Sequence, residues 1–287
     1  MRRSAILTVL LTIAAGALVA CGSSKKTTTT SAAAATTATA RCTKAVLKTH
    51  NGGVMTVATD SPAFPPYFED NKPANGKGFE SAVAYAIAKQ LGYAPSEVKW
   101  VVEHFNSSYA PGPKNFDFDV NEISITPDRA KAVDFSDPYF TAPQGIVVPK
   151  GSKLANATSL ADFKDAKFGV QIGTTSLDAV KNQIKPTKSV KVFDTSNDVN
   201  TALKENLVDA VVVDLPTAFY ITSAQVEGSK IAGQFNAPGG DQWGALLPKN
   251  SALTACVSEA VQKLKASGTL AKIQNQWMAG ASAPKLQ

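Results

Sequence analysis

The stretch NEISITPDRAKAVDFSDPYF, residues 121–140, decides how the rest of the chain is read. It has the grammar of a strand end, a capped helix start, a second strand and a turn. Thr126 before Pro127 predicts the helix start: the hydroxyl can accept an orphan backbone N–H, and proline tolerates the first helical position. Arg129 then falls in the first turn, where the helix dipole disfavours a cation unless an anion compensates it. With hydroxyls at Ser124 and Thr126 beside it, the guanidinium fork suits a carboxylate taken with both arms. The plainer reading of the same residues is a surface arginine paired with a neighbour.

The runs Ser124-Ile125-Thr126-Pro127-Asp128-Arg129 and Val133-Asp134-Phe135-Ser136-Asp137-Pro138-Tyr139 closely resemble the signature of bacterial extracellular solute-binding proteins, family 3, the amino-acid receptors of ABC importers. The resemblance spans residues 54–277 in four motifs that keep the family's order. It implies a periplasmic-binding-protein type II-like α/β fold: two lobes joined by two crossover strands, with the ligand in the cleft between them. It also implies that Ser124 and Arg129 hold the ligand's α-carboxylate.

The first residues read as an address rather than as part of the fold. Arg2 and Arg3 precede an apolar run over residues 5–18 that is short for a permanent membrane span. The run ends Leu18-Val19-Ala20-Cys21, which resembles a bacterial lipobox and implies acylation of Cys21. An ordinary signal peptide with an incidental cysteine is the alternative. Residues 1–20 are expected as a lipoprotein signal peptide. Residues 21–41, nearly all Ser, Lys, Thr, Gly and Ala, are expected as a flexible tether with too little apolar surface to fold. A single acyl chain binds a membrane weakly, so firm attachment needs more than one. The location this implies is extracytoplasmic, on the cell membrane.

Charge and cysteine follow the same division. The 29 basic against 23 acidic side chains give a net +6. Arg2, Arg3, Lys25, Lys26 and Arg41 precede the folded part with no acid among them, which leaves it close to neutral. Nucleic-acid binding therefore loses its main support. With Cys21 assigned to lipid, Cys42 and Cys256 are expected to pair outside the cytoplasm; two buried free thiols are the alternative. His50 and His104 stand alone without metal-ligand spacing, so neither metal nor cofactor is expected.

From residue 54 the chain alternates strands and helices: a strand over 54–58, an amphipathic helix over 78–91, and a strand over 98–102. That order predicts a parallel sheet with ligands at its strand ends, where Asp60 and Phe64 fall. Asp60 reads as a ligand contact or a turn cap, Phe64 as a wall of the ligand's side-chain pocket or a core plug. Residues 103–115 depart from the family pattern. Pro111 and Pro113 break any long helix, so an irregular loop walling the cleft is expected. Glu122 departs too, and either offers a counter-charge for an ammonium or turns away into a salt bridge.

Residues 145–149 are expected to cross into a second lobe. There Gly173-Thr174-Thr175 opens a helix after a strand, offering N–H groups and hydroxyls to an anion. By the resemblance, Thr174 and Thr175 close on the ligand carboxylate, and Asp214 at a strand end takes the α-ammonium; ordinary helix capping is the alternative for each. Residues 237–240 form the second hinge, 243–248 a return strand, and two helices close the chain. Lobe one is thus assigned residues 42–145 and 243–287, and lobe two residues 146–242.

Receptors for the two ends of a zwitterion then stand on opposite lobes, so a bound amino acid biases closure. The partners implied are an amino acid, polar or cationic at its side chain, and a membrane permease, with lipid the only membrane contact and the protein monomeric. A dehydratase related to cyclohexadienyl dehydratases, for which only Glu122 speaks, and a sensor module of a membrane receptor are the competing readings.

Overall fold

The computed structural model describes residues 41–237, 240–278, 280 and 282–287. The expected leader, Cys21 and all of the tether except Arg41 lie outside the described residues, as do Pro238 and Gly239 of the second hinge. Among the described residues no helix is long and apolar enough to cross a membrane.

Strand β1 (Met55–Thr59) runs through a loop rich in proline and aromatics to helix α1 (Phe79–Gln90), followed by β2 (Val98–Val102). The helix forms where the apolar spacing predicts it: Phe79, Val83, Ile87 and Leu91 are all buried. Gly78 opens it because nothing larger fits. Its φ is +100°, and a Cβ there would lie 2.3 Å from the Tyr67 carbonyl oxygen. A one-turn helix α2 (Phe105–Ser108) stands in the loop expected to be irregular. Then come the short β3 (Phe118–Asp119), a one-turn helix α3 (Arg129–Ala132), the long β4 (Val133–Ala142) and β5 (Gln144–Val148). The next segment continues β6 (Phe168–Gln171), α4 (Thr175–Ala179), β7 (Lys191–Phe193), α5 (Ser196–Lys204), β8 (Ala210–Asp214), α6 (Leu215–Tyr220) and β9 (Lys230–Phe235). Strand β10 (Asp241–Pro248) and helices α7 (Thr254–Ala266) and α8 (Thr269–Trp277) complete the order.

These strands form two five-stranded sheets, β2-β1-β3-β10-β4 and β7-β6-β8-β5-β9. Each holds the parallel trio that the strand–helix alternation predicts, extended by one antiparallel strand (β10 or β5) and, beyond it, by a strand (β4 or β9) that again runs with the trio. The sheets are therefore mixed rather than parallel, because the strands that carry the chain between lobes enter antiparallel to the trio.

The crossings also fall elsewhere than expected. Sheet one ends at Ala142, Pro143 is the link, and Gln144 already pairs with Asp214 and Phe235 in sheet two. Residues 144 and 145 thus sit in the second sheet, and Asp241 and Gln242 in the first. Residues 145–149 are no bare crossover, since Ile146, Val147 and Val148 are completely buried and need sheet neighbours on both sides. The first core gathers around Trp243, Phe68, Phe79 and Phe118, the second around Phe163, Phe168, Ile146 and Val180. Cys42 and Cys256 are disulfide-bonded, which ties the chain's described start to α7.

The last residues, expected with lobe one, cross once more. Gln234 N–H donates to the Pro284 carbonyl at 2.7 Å, and Leu286 N–H to the Gln234 carbonyl at 2.9 Å. Leu160 N–H and the Gln287 carbonyl add a third bond at 3.0 Å. Strand β9 is a sheet edge with unpaired backbone groups, and the tail satisfies them. Leu286 packs in the second core over Gly233, where a Cβ would lie 2.6 Å from the leucine Cγ. Leu286→Ala is expected to cost about 2 kcal/mol, read as a lower urea midpoint; an unchanged midpoint would mean the tail is not seated.

Candidate functional site

Arg129 is placed by the sequence that precedes it. Thr126 Oγ1 accepts the Arg129 N–H at 3.2 Å, as the Thr-Pro start predicts. The loop carrying Ser124 is pinned to β10 by Ile125 N–H donating to Gln242 O (2.8 Å) and Gly244 N–H to Ile123 O (3.2 Å). From there the guanidinium donates to Ser124 O at 2.8 Å and, across the lobes, to Gly173 O at 2.9 Å. It also faces the rings of Tyr109 and Phe105, 4.5 and 5.3 Å from their centroids. Arg129 is buried, so it is no surface arginine. Burial lowers its pKa, while Tyr109 and Asp214 act the other way.

The second lobe answers with Gly173, Thr174 and Thr175. Thr174 caps α4, its hydroxyl accepting from Leu177 N–H at 3.1 Å and donating to Gln171 O at 2.8 Å. Thr175 Oγ1 lies 3.4 Å from Ser124 Oγ across the cleft. Tyr67 and Thr217 join hydroxyls across it at 2.8 Å, and Phe64 meets Tyr220 with ring centroids 5.8 Å apart. The lobes are in contact along both walls.

Asp214 ends β8 at the N-cap position of α6, yet its side chain makes no capping bond. Its Oδ1 instead accepts from Gln144 Nε2 at 2.5 Å, and the same amide donates to Asp241 Oδ2 at 2.7 Å. Gln144 Oε1 in turn accepts from Ser176 Oγ at 2.6 Å. One glutamine thus clamps both interlobe crossings and the Asp214 carboxyl. Burial, then Asp241, push the Asp214 pKa well above the ordinary carboxyl value; Gln144 and Arg129 oppose them. A cation arriving beside Asp214 would relieve that pressure.

Asp60 caps α2 by accepting from Phe105 N–H at 3.2 Å, and its other oxygen meets His104 Nδ1 at 2.9 Å. Phe64 is half-buried and lines the cleft, so it is not a core plug. Glu122 also faces the cleft and forms no ion pair with a basic side chain among the described residues. Asp60, Phe64, Glu122, Ser124, Arg129, Thr174, Thr175 and Asp214 all line one cavity of about 620 Å³. Among the described residues its wall holds the carboxyls of Asp60, Glu122, Asp194 and Asp214 against the guanidinium of Arg129 and the imidazole of His104. Sequence reasoning missed Glu80, Gln144 and Asp241, and placed Tyr109 only within the loop expected to wall the cleft. For Glu80 there was a signal: it is an acid on the buried face of α1, one residue after Phe79 and three before Val83.

Residues 55–280 match the model of the bacterial extracellular solute-binding proteins, family 3. The chain belongs to this family. It is 29% identical over 219 residues to the arginine-binding extracellular protein ArtP of Bacillus subtilis (strain 168), covering 74% of this chain and 82% of that one. It is also 29% identical over 242 residues to the ABC transporter glutamine-binding protein GlnH of the same strain, covering 82% and 84%. A solved structure of an ancestral arginine-binding protein bound to arginine is similar as well. It has a TM-score of 0.65 at 35% identity, over 79% of this chain and 98% of that one.

In this family 3 member Gly173 is where closure is most exposed to a single methyl group. A Cβ there would fall 2.2 Å from the Tyr109 hydroxyl and 2.8 Å from Asn106 Oδ1, both on the opposite lobe. The φ of +74° adds strain wherever the lobes stand, but the clash exists only when they meet. Gly173→Ala is therefore expected to shift the protein toward an open form and weaken ligand binding about tenfold. Calorimetry with small-angle scattering would show both effects, and unchanged affinity would contradict the closed contact.

Proposed function

We propose that the chain is the extracytoplasmic receptor of an ABC importer, capturing an amino acid with a cationic side chain and handing it to a membrane permease. Acyl chains on Cys21 hold it to the cell membrane, and it acts as a monomeric receptor rather than as an enzyme. The observation that carries this reading is the placement of Arg129 and Asp214 on opposite walls of one cavity with further acids around them.

The two ends of a zwitterion need one cationic and one anionic receptor, both shielded from water. Arg129 takes the α-carboxylate, using N–H groups beyond the two that bond Ser124 O and Gly173 O, with Ser124 and Thr175 hydroxyls alongside. Thr174 serves by shaping the start of α4. Asp214 takes the α-ammonium. That exchange leaves Glu122 and Asp194 in the lining without an ion-pair partner among the described residues, and Asp60 with only the His104 imidazole, which favours a cationic over a neutral side chain. Phe64 and Tyr220 offer flat apolar faces to its methylene stem. Since the receptors for one ligand belong to both lobes, only closed lobes satisfy all of them, and the ligand biases closure.

A thermal-shift screen of the purified protein against the standard amino acids tests this. A ligand bound only by the folded protein raises its melting point. Arginine or lysine is expected to give the largest shift. The absence of a shift with every amino acid would reject the reading.

A further inference from the structure

Glu122 carries a backbone that glutamate adopts at a cost. Its φ is +50°, in the left-handed region that favours glycine. What holds it there is Glu80, a carboxyl with no exposed surface, whose Oε1 accepts the Glu122 N–H at 2.7 Å and the Tyr139 hydroxyl at 2.5 Å. Glu80 Oε2 is buried without a hydrogen-bond partner. The Glu122 backbone is thus tied to Glu80, and the two carboxyls act on each other. The groups that act on the pair are Tyr139 of β4, Tyr67 of the loop after β1, Asp60 at the end of β1, Asp119 of β3 and Asp214 of β8. All are acids or phenols. Of these two interacting carboxyls, one walled in and one facing the cavity, neither forms an ion pair with a base among the described residues.

We propose that the Glu80–Glu122 pair is a proton-linked selectivity element: it holds one proton between its carboxyls until a cationic ligand enters the cleft, and then releases it. This rests on the reading that the ligand is a cationic amino acid. Burial supports it, pushing Glu80 up to about 7 and Glu122 well above its ordinary value. In the complex the incoming charge takes the proton's place, so both carboxylates stand ionised against one cation. A proton is bound before the ligand and lost with it, so affinity for a cationic ligand rises with pH, by up to about tenfold per pH unit below roughly pH 7, and levels off above it. A ligand with a neutral side chain leaves the proton in place and gains no such slope.

Calorimetric titration of the full protein with arginine, in buffers of different ionisation enthalpy, counts the proton. About one proton released per arginine at pH 6, falling as the pH passes about 7, is expected in the natural protein, with release near zero and a flattened pH slope in Glu122→Gln. No release, or the same release in Glu122→Gln, overturns the proposal, the second outcome assigning the proton to Asp214. If no amino acid binds at all, the receptor reading falls, and the pair is read without ligand by carbon-13 NMR of the glutamate carboxyls. A resonance titrating above pH 6 and lost in Glu122→Gln upholds the shared proton. Every glutamate titrating near the ordinary value of about 4.3 removes it.

Discussion

Replacing Arg129 by alanine is expected to weaken amino-acid binding by two to three orders of magnitude, about 3–4 kcal/mol. The size follows from burial. Among the described residues Arg129 supplies the only guanidinium of the cavity wall, and its removal leaves a desolvated carboxylate on the ligand without a cationic partner. The substitution also unties the bond to Gly173 O, so the lobes lose a contact that holds them together. Arg129→Lys is expected to recover only part of the loss. Lysine keeps the charge but cannot reach Ser124 O and Gly173 O with one fork, nor stack as a plane on Tyr109. Calorimetry on both variants separates these contributions, and near-natural affinity in Arg129→Ala would place the carboxylate elsewhere.

Loss of the Cys42–Cys256 bond is expected to have the largest effect on stability. The bond closes a loop with a sequence separation of 214, so it removes much of the freedom of the unfolded chain. The expected cost is about 4 kcal/mol, a large share of a folding free energy that is typically about 5–15 kcal/mol. For a chain of this size that corresponds to a melting point lower by about 10 °C. The bond lies far from the cleft, in the packing of the chain's described start against α7. The start has other anchors, since Lys44 pairs with Glu97 and lies 5.6 Å from the Tyr93 ring centroid. A Cys42→Ser, Cys256→Ser double variant should therefore still fold at room temperature and bind ligand, but melt earlier. Equal melting points would show that those neighbours alone fix the segment.

Much of this molecule is written in local sequence. Strand and helix alternation, the Thr126-Pro127 start that places Arg129, and the strand end that carries Asp214 each depend on neighbours a few residues away. Those features were legible for that reason. The features that escaped reading depend on partners far along the chain. Gln144 means little until Asp214 and Asp241, 70 and 97 residues further on, come to either side of its amide. Glu80 falls on the apolar face of α1, but the Glu122 backbone that its carboxyl holds lies 42 residues away. The tail around Leu286 has one large apolar residue and no periodicity, so only the open edge of β9 decides where it goes. The antiparallel strands of both sheets were hidden in the same way, because an apolar run such as residues 145–148 does not state its direction.

The proposed function requires that one cleft reads both ends of an amino acid and favours a positive side chain. Calorimetric titration of the purified protein at pH 7.5 with arginine, lysine, glutamine and glutamate tests it most directly. Micromolar binding of arginine or lysine, about −8 kcal/mol, and at least tenfold weaker binding of glutamate is the predicted result. Tighter binding of glutamate, or no binding by either cationic amino acid, would contradict it.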